Sequence, residues 1–412
     1  MLIIYSGLSL GGIETFWVRL AKQRFLEGQN TKIILYTPLK FGNYNKELLQ
    51  QLAEYAEVYY FNDIFSKLKL NWRFYFFHEL KLEKLHNIVN DCSQIHVADA
   101  FSGLLANKIL YELKLSKPIT FGVYHTKEFT WGASEKLPYF EQVNRRFVFE
   151  LNPNDNLLCY SKTTKETIEK KIGFRLENAK TFRLGVIEKP IEKVKVFSLN
   201  STIKICAIGR LTSFKTYNFW MPKVIKELKE KGLNVTFDIY GSGECESDIK
   251  RIVSEYPDYI SLQPAFNYSE FSKIVSNYDL FIGSGTAIIE AASLGIPSII
   301  GIESIEEPLS YGFFSEFADY EYHVLGLPFK LKPVVDIIYE FCLSDCKAKE
   351  KLSIEHKRES KFFLMSTCSY NFESMQIINT PKIKFNPLFY TLSRLFFYKK
   401  IGYLGKTIYN DF

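Results

Sequence analysis

The chain has 412 residues, of which 47% are hydrophobic and 24% are charged. This composition is typical of globular proteins and excludes a wholly disordered, collagenous or coiled-coil chain. The net charge of +6 is mild and argues against a dedicated nucleic-acid-binding protein. Aromatic residues reach 16%; they fill hydrophobic cores first, and they also mark membrane interfaces and sugar-binding surfaces. At roughly 150 residues per domain, the length predicts two or three domains.

Cysteine and histidine give no sign of a metal site. The seven cysteines and six histidines are scattered, and the closest cysteine pair, Cys342 and Cys346, has no CxxC spacing. We therefore expect buried, reduced thiols, a cytoplasmic location and no bound metal or other cofactor.

Strand-like and helix-like segments alternate in the first part of the chain. The first seven residues lack the basic start and long apolar core of a signal peptide, so they are interpreted as a strand. Strands are predicted at 2–5, 32–36, 94–98, 119–124 and 156–160, and helices from 13 to a stop at Gly28, at 102–113 and at 163–172. Such alternation predicts a parallel sheet covered by helices.

A second alternating series follows a segment rich in Pro, Ser and charge. Strands are predicted at 204–208, 234–240, 260–262, 280–283 and 297–300, and helices at 219–231, 245–256, 269–277 and 287–294. The apolar window 281–302 contains Glu290 and Pro297, so we interpret it as strand, helix and strand rather than a transmembrane helix. We expect an N-terminal domain at 1–188, a linker at 189–202, a second domain at 203–365 and a tail at 366–412.

Glycine follows a predicted strand at the start of the chain. Gly7 ends the first strand, and Gly11 and Gly12 precede the first helix. Glycine lets the backbone approach a ligand closely, and the free N–H groups of a helix start favour an anion. The spacing is not GxGxxG, and a plain tight turn explains the glycines equally well.

Two cations follow the first strand of the second series. Gly209 ends that strand, and Arg210 and Lys215 lie in the loop before the next helix. Ligands of open α/β folds bind at this edge of the sheet. The planar fork of Arg and the point charge of Lys suit a diphosphate. The alternative to a diphosphate site is that both cations are solvated side chains of the loop.

Two further glycine-containing turns complete the pattern. Gly241 and Gly243 follow the strand 234–240, and Gly285 follows the strand 280–283. Thr286 is expected to cap the next helix, and Glu290 falls about one turn into it. A carboxylate in these apolar surroundings needs a partner, which a ribose diol or a nearby cation would supply.

These four motifs, in this order and on two α/β domains, resemble the GT-B glycosyltransferases, and specifically the retaining enzymes of glycosyltransferase family 4. The resemblance covers roughly residues 1–305 and is strongest at about 204–301. It implies an α/β fold with two Rossmann-like parallel-sheet domains facing a cleft and a C-terminal helical tail. It also implies transfer of a sugar, with retention and without a metal, from a nucleotide-sugar co-substrate to a saccharide acceptor.

The resemblance assigns roles to individual residues. The implied donor-binding residues are Gly11, Gly12, Gly241, Gly243, Ser284, Gly285, Thr286 and Glu290. The implied catalytic residues are Arg210 and Lys215, which would stabilise the departing diphosphate, and His125, which would orient the donor sugar. Two positions depart from the family pattern: Ile282 stands where the first Glu of a Glu-x7-Glu motif is expected, and Thr216 replaces a usual Gly.

Other functions remain open. A GT-B epimerase acting on a nucleotide sugar would share the fold, and a catalytically inactive GT-B module would only bind a partner. The missing first Glu favours the inactive module, whereas Arg210, Lys215 and Glu290 favour an enzyme. The absence of GxGxxG makes a dehydrogenase a poor third.

The last 31 residues combine aromatic and basic side chains. Residues 382–412 hold six Lys and Arg, one Asp and nine aromatics. They predict either a helix lying in a membrane interface, with Lys399, Lys400 and Lys406 facing anionic lipid, or a helix that packs on the N-terminal domain. The first alternative suits a lipid-linked acceptor in the synthesis of capsule, O-antigen or lipopolysaccharide at the cytoplasmic face of the inner membrane.

Overall fold

The computed structural model of the protein describes residues 1–9, 11–66, 70–124, 128–132, 137–190, 195–198, 202–267 and 270–403. It divides the chain into two compact units. The first unit comprises Met1–Leu184 together with Cys368–Phe412, and the second comprises Gly185–Thr367. The C-terminal segment is therefore part of the same unit as the N-terminal half of the chain.

The first unit is built on a parallel sheet. In the part of the chain that the structure describes, its strands are β1 (Leu2–Tyr5), β2 (Lys32–Leu35), β3 (Glu57–Tyr60), β4 (Ile95–Val97), β5 (Ile119–Val123), β6 (Leu157–Cys159) and β7 (Lys180–Thr181). They lie in the order β3-β2-β1-β4-β5-β6-β7, with every neighbouring pair parallel. The central strands are apolar because helices cover both faces of a parallel sheet.

The second unit has a smaller parallel sheet of the same kind. Its strands are β8 (Ile203–Ile208), β9 (Val235–Tyr240), β10 (Ile260–Gln263), β11 (Leu280–Gly283) and β12 (Ser298–Ile300), in the order β10-β9-β8-β11-β12. A separate antiparallel pair joins β13 (Leu309–Ser310) to β14 (Lys332–Pro333). In each sheet the chain adds strands first on one side of the first strand, β1 or β8, and then on its other side. The sheet edge at that strand is therefore a topological switch point.

Helices connect the strands of both sheets. The helices are α1 (Gly12–Leu26), α2 (Lys46–Tyr55), α3 (Phe61–Ile64), α4 (Leu82–Val89), α5 (Ala100–Glu112), α6 (Tyr139–Arg145), α7 (Lys162–Ile172), α8 (Tyr217–Glu230), α9 (Glu246–Val253), α10 (Phe271–Val275), α11 (Gly285–Ser293), α12 (Phe314–Phe317), α13 (Val334–Leu343), α14 (Cys346–Ser360), α15 (Met365–Glu373) and α16 (Pro387–Tyr403). Several begin at a side-chain cap: Asp99 accepts from the backbone N–H of Ser102, and Ser161 from that of Thr164. These caps satisfy N–H groups that lack intrahelical partners.

The second sheet packs each of its two faces into a hydrophobic core. In β8 the side chains alternate, so that Ile205 enters the cluster with Phe237 and Cys206 enters the cluster with Phe281 on the opposite face. The first unit has an aromatic-rich core that includes Phe147 and, from α16, Tyr390. Much of the high aromatic content is therefore core material.

The predicted fold class is confirmed: the protein consists of two parallel-sheet α/β units with a helical C-terminal region. The sequence reading missed β3, whose residues are exposed or only partly buried, and so lack the continuous apolar run of a central strand. The prediction that Thr286 caps the next helix is wrong. Helix α11 begins one residue earlier, at Gly285, with Ser284 at the cap position.

The described residues contain no disulfide, no membrane-spanning helix and no cluster of metal ligands. All seven cysteines are free thiols, and most are buried. No helix in the described ranges is long and apolar enough to cross a membrane. Within those same ranges, no group of three or more His, Cys, Asp or Glu side chains is placed to hold a metal ion.

Candidate functional site

The switch point of the second sheet brings two of the sequence motifs together. Strand β8 pairs with β9 on one side and with β11 on the other. The loop that carries Arg210 and Lys215 follows β8, and the glycine turn before α11 follows β11. Parallel strands end at the same edge of a sheet, so these motifs share the place where open α/β folds bind ligands.

The turn after β9 lies directly against the loop after β8. The backbone N–H of Gly209 donates to the carbonyl of Tyr240 at 3.1 Å, and the N–H of Leu211 donates to the carbonyl of Ser242 at 3.0 Å. The N–H of Cys245 returns a bond to the carbonyl of Leu211 at 3.1 Å. These hydrogen bonds continue the pairing of β8 with β9 beyond the two strands. They fix the start of the loop that carries Arg210 and Lys215, which we call the basic loop.

Glycine is required at Gly241 for this close approach. A Cβ atom there would lie 1.9 Å from the carbonyl oxygen of Gly209, and the φ angle of Gly241 is +146°. At Gly243 a Cβ would lie 2.3 Å from the carbonyl oxygen of Leu211. Both glycines therefore have a structural role in joining the two loops, and their predicted contact with a donor stays a prediction.

Lys215 and Arg210 differ in their surroundings. Lys215 is partly buried, and its ammonium lies against the backbone of Gly209, 2.8 Å from where a Cβ would stand. Burial lowers the pKa of Lys215; the Glu303 carboxylate opposes this effect, and the positive charge of Arg210 adds to it. Arg210 itself is exposed. A second anion close to Lys215 would stabilise its charged form.

A carboxylate that the sequence reading missed lies at the same edge. Glu303 follows β12, and its Oε1 accepts a hydrogen bond of 2.6 Å from the hydroxyl of Ser284. The N–H of Ser304 donates to the carbonyl of Phe214 at 2.7 Å, which ties this loop to the basic loop. The available signal was the position of Glu303 just after a buried strand, where side chains reach the edge of the sheet.

The turn before α11 exposes part of its backbone. Ser284 is 2% exposed and its hydroxyl is held by Glu303, whereas Gly285 is exposed and Thr286 is partly buried. The hydroxyl of Tyr322 donates to the carbonyl of Gly285 at 3.0 Å. No side chain caps α11, so the first N–H groups of this helix remain suited to an anion.

Glu290 lies in the second turn of α11 and is buried. Its backbone carbonyl accepts a hydrogen bond of 2.7 Å from the hydroxyl of Ser293. The predicted role of its carboxylate, binding a ribose, stays a prediction. Ile282, where the first Glu of the family motif was expected, is fully buried in β11.

Helix α1 of the first unit begins at a pair of glycines and has a carboxylate of its own first turn beside them. Gly11 is the cap residue of α1 and Gly12 its first residue. The carboxylate of Glu14 lies against Gly11 and accepts a hydrogen bond of 2.8 Å from the hydroxyl of Ser9. An acidic side chain therefore already faces the N-terminus of α1, where its charge is favourable. Contact of Gly11 and Gly12 with a diphosphate stays a prediction.

The predicted catalytic His125 lies outside the described residues. Strand β5, which precedes it, ends beside a buried network of hydrogen-bonded side chains that was not predicted from the sequence. His96 contacts the hydroxyls of Thr120 and Tyr124, each at 2.9 Å, and Tyr160 donates to Tyr124 at 3.0 Å. Burial lowers the pKa of His96 to about 3. His96 is therefore a neutral core residue.

The chain matches no family model. A curated relative, the UDP-N-acetylglucosamine--peptide N-acetylglucosaminyltransferase GtfA subunit of Streptococcus pneumoniae serotype 4, is 33% identical over 88 residues. That match covers 19% of this chain and 17% of the GtfA subunit. It is a local similarity between parts of two proteins.

Solved structures of glycosyltransferases are similar over most of the chain. A glycosyltransferase from Rickettsia africae ESF-5 has a TM-score of 0.61 at 14% identity, covering 90% of this chain and 96% of its own. The lipopolysaccharide outer core galactosyltransferase WaaB gives 0.55 at 14% identity, with 90% and 99% covered. Anabaena HepE in complex with UDP gives 0.61 at 13% identity, with 90% and 98% covered. At these identities the similarity establishes the GT-B fold.

Proposed function

We propose that the protein is a glycosyltransferase that moves a sugar from a nucleotide-sugar donor to a saccharide acceptor with retention of configuration. The observation that carries the proposal is the arrangement at the switch point of the second sheet. There the partly buried Lys215, the exposed Arg210 and the uncapped N-terminus of α11 follow two neighbouring strands. The glycosyltransferase structures that share the fold support the same conclusion.

The proposed chemistry is stabilisation of a departing diphosphate. Cleavage of the bond between the anomeric carbon and the diphosphate places negative charge on the leaving oxygen. Arg210 would bind this group with its planar guanidinium, and Lys215 would bind it with a compact ammonium. Because the loop is held by backbone hydrogen bonds to the turn after β9, the cations are positioned before the reaction begins. This arrangement needs no metal ion.

The donor's other parts are assigned to residues of the same unit. Glu290 would accept hydrogen bonds from the two ribose hydroxyls, and the N–H groups of Gly285 and Thr286 would bind phosphate. We assign the sugar to Glu303, whose carboxylate lies beside Ser284 and would accept a hydroxyl donor. Glu303 would then replace the acid missing at Ile282. For Gly11, Gly12 and His125, contact with the donor rests on the sequence resemblance alone.

The acceptor is proposed to be a lipid-linked saccharide in the synthesis of a surface polysaccharide, at the cytoplasmic face of the inner membrane. WaaB, by its name, is a lipopolysaccharide galactosyltransferase. UDP is the first donor nucleotide to test, because HepE was solved with UDP and the GtfA subunit carries a UDP-sugar in its name.

A donor panel tests this proposal. Wild-type protein is melted with UDP, GDP, ADP, CMP and the corresponding nucleotide sugars, each at about 100 times an expected Kd, where a ligand adds about 2.7 kcal/mol. We expect one nucleotide series to raise the melting temperature in wild type and in Lys223→Ala, an exposed lysine of α8, but not in Lys215→Ala. EDTA should leave the result unchanged.

The same panel separates the alternatives. If no nucleotide raises the melting temperature, the donor site is wrongly assigned. Conversion of one nucleotide sugar into another without any acceptor would instead indicate an epimerase. Binding without turnover, against a broad panel of saccharide acceptors, would indicate a binding module.

A further inference from the structure

Helix α16 is anchored on the first unit by one of its faces. Tyr390 is fully buried, and its hydroxyl donates to Asn144 at 2.7 Å. Phe397 stacks on Trp131 with ring centroids 5.3 Å apart. The guanidinium of Arg394 lies 4.8 Å from the ring centre of Phe101. These contacts confirm that the C-terminal helix packs on this unit and fix which side of it faces outward.

The outward side is apolar and exposed. We call Leu388, Phe389, Leu392 and Phe396 the α16 patch; their exposed fractions are 51%, 63%, 48% and 73%. Together with Tyr139 and Ser393, three of them line an open groove of about 600 Å³. The spacing of three and four residues places the patch along one side of the helix. Such a contiguous apolar surface marks an interaction site.

Basic residues stand at both ends of the patch. Lys382 and Lys384 precede it, and Lys399 and Lys400 follow it; all four are exposed. The sequence 382–403 contains no acidic residue. Lys406, the third lysine of the sequence prediction, lies outside the described residues. An apolar side flanked by lysines is complementary to a surface that is apolar inside and negative outside.

Three acidic groups on neighbouring elements approach this helix, and one of them, Asp99, lies near Arg394 on its inner side. Glu141 of α6 is buried and forms an ion pair with Arg145 at 2.8 Å, so its charge is compensated. Glu128 is partly buried and acts on the hydroxyl of Tyr398, which precedes Lys399 near the C-terminal end of the helix. The acidic groups that act on the helix are therefore buried or partly buried, whereas the four lysines that flank the patch are exposed.

We propose that the α16 patch docks on an anionic membrane surface, with its aromatic rings in the headgroup region and the flanking lysines over anionic headgroups. Aromatic and aliphatic side chains gain by leaving water, and lysines near the surface are attracted to anionic lipid. A protein partner would need acidic groups placed to match four lysines around an apolar centre. An anionic bilayer offers an apolar interior and negative headgroups at every point of its surface. This docking does not depend on the transfer reaction.

Vesicle co-sedimentation of the full chain tests the proposal. Vesicles of phosphatidylglycerol and phosphatidylcholine are compared with vesicles of phosphatidylcholine alone, at about 50 mM and about 500 mM salt, where the Debye length shortens. We expect binding to the anionic vesicles at low salt, and a reduction of at least tenfold at high salt or without phosphatidylglycerol.

Two pairs of variants assign that binding to the patch. The double variant Lys399→Glu, Lys400→Glu should reduce vesicle binding at least tenfold. Its control is Lys223→Glu with Lys250→Glu, at two exposed lysines of the second unit. The control makes the same change in net charge and should reduce binding by less than threefold. Phe389→Ser with Phe396→Ser should also reduce it at least tenfold. Tyr370→Ser, at a side chain 70% exposed on α15, is the apolar control.

Three outcomes would overturn the proposal. One is a wild-type protein that stays unbound to anionic vesicles at low salt. Another is equal loss of binding in the patch and control variants. The third is a dimer, seen by light scattering, that binds no vesicles and separates in the Phe389→Ser, Phe396→Ser protein; the patch would then be an interface between two copies. Nucleotide-induced melting shifts should be unchanged in all folded patch variants, so this test is independent of the donor site.

Discussion

The two helix starts at the switch points, α1 in the first unit and α11 in the second, follow the same local plan but differ in the charged side chains around them. Both follow a glycine turn at the end of a central strand. At α1 the carboxylate of Glu14 lies at the cap residue, held by Ser9. At α11 the carboxylate comes from a different loop, as Glu303, and Lys215 lies close to it.

The difference shows that a glycine turn before a helix does not by itself define an anion site. Such a turn supplies free N–H groups at both places. In the second unit a partly buried lysine, Lys215, lies near Arg210 and near the Glu303 carboxylate that holds the turn. We therefore expect the diphosphate charge to be carried mainly by the second unit.

The largest effect is expected at Lys215. Lys215→Ala should lower kcat/KM by about 10²–10³, because a donor that stabilises developing negative charge contributes roughly 3–4 kcal/mol. Arg210→Ala should have a smaller effect, since Arg210 is exposed. Steady-state kinetics with the identified donor measure both changes, and circular dichroism confirms folding. Kinetics like those of wild type in Lys215→Ala would place the diphosphate elsewhere.

The next largest effect concerns the loop contact beneath the cations. Gly241→Ala should lower the free energy of unfolding by about 3 kcal/mol, because the new Cβ overlaps the carbonyl of Gly209. Gly232→Ala is the control: its φ is +84°, but nothing lies within 4 Å of the added atom, so it should cost only about 1 kcal/mol. Urea unfolding compares the two. Equal losses would mean that the close approach is unimportant.

Acid should destabilise both units through buried histidines, chiefly His96 in the first unit and His356 in the second. Burial lowers the pKa of His96 in the first unit to about 3 and that of His356 in the second to about 4, from an ordinary value of 6.5. Below pH 6.5 the unfolded chain binds a proton that the folded chain does not. Stability is therefore complete above pH 6.5 and falls on acidification, by about 2 kcal/mol per histidine at pH 5.

Melting at pH 7 and pH 5 measures this loss. His96→Gln and His356→Gln should each flatten the pH dependence, whatever they do to the melting temperature at pH 7. A wild-type melting temperature that is constant between pH 7 and pH 5 would contradict the assignment of both histidines as buried and neutral.

The carboxylate near α11 should affect turnover more than binding. Glu303→Gln should lower kcat/KM by about 10- to 100-fold, as expected when a charged hydrogen bond of roughly 1.5–3 kcal/mol is lost. UDP should bind as well or better, because a negative charge has been removed beside the diphosphate. Ser284→Ala, which keeps the charge, is the matched control. If UDP affinity falls with turnover, Glu303 has only a structural role.

The smallest effect is expected at α1. If the diphosphate also contacts Gly11 and Gly12, Glu14→Gln should tighten UDP binding two- to fivefold, since a charge at a helix start is worth about 0.3–1 kcal/mol. Titration calorimetry is sensitive enough to detect this change. An unchanged affinity would remove Gly11 and Gly12 from the site.

Much of the fold was predictable because the strands of parallel sheets are continuous apolar runs, as in β1 and β11. The half-exposed β3 has no such run, so it was missed. At the site, Arg210 and Lys215 were found because they follow a strand closely in sequence. Glu303 was missed because its relation to Ser284 and Lys215 arises from three loops that meet only at the edge of the folded sheet.

UDP titration by calorimetry, in EDTA and with matched variants, tests the central claim most directly. The account predicts that wild type and Lys223→Ala bind UDP, that Lys215→Ala weakens binding at least tenfold, and that Glu14→Gln changes it by no more than about fivefold, in line with the charge effects above. If Glu14→Gln has the larger effect while Lys215→Ala binds like wild type, the basic loop of the second unit is not the diphosphate site.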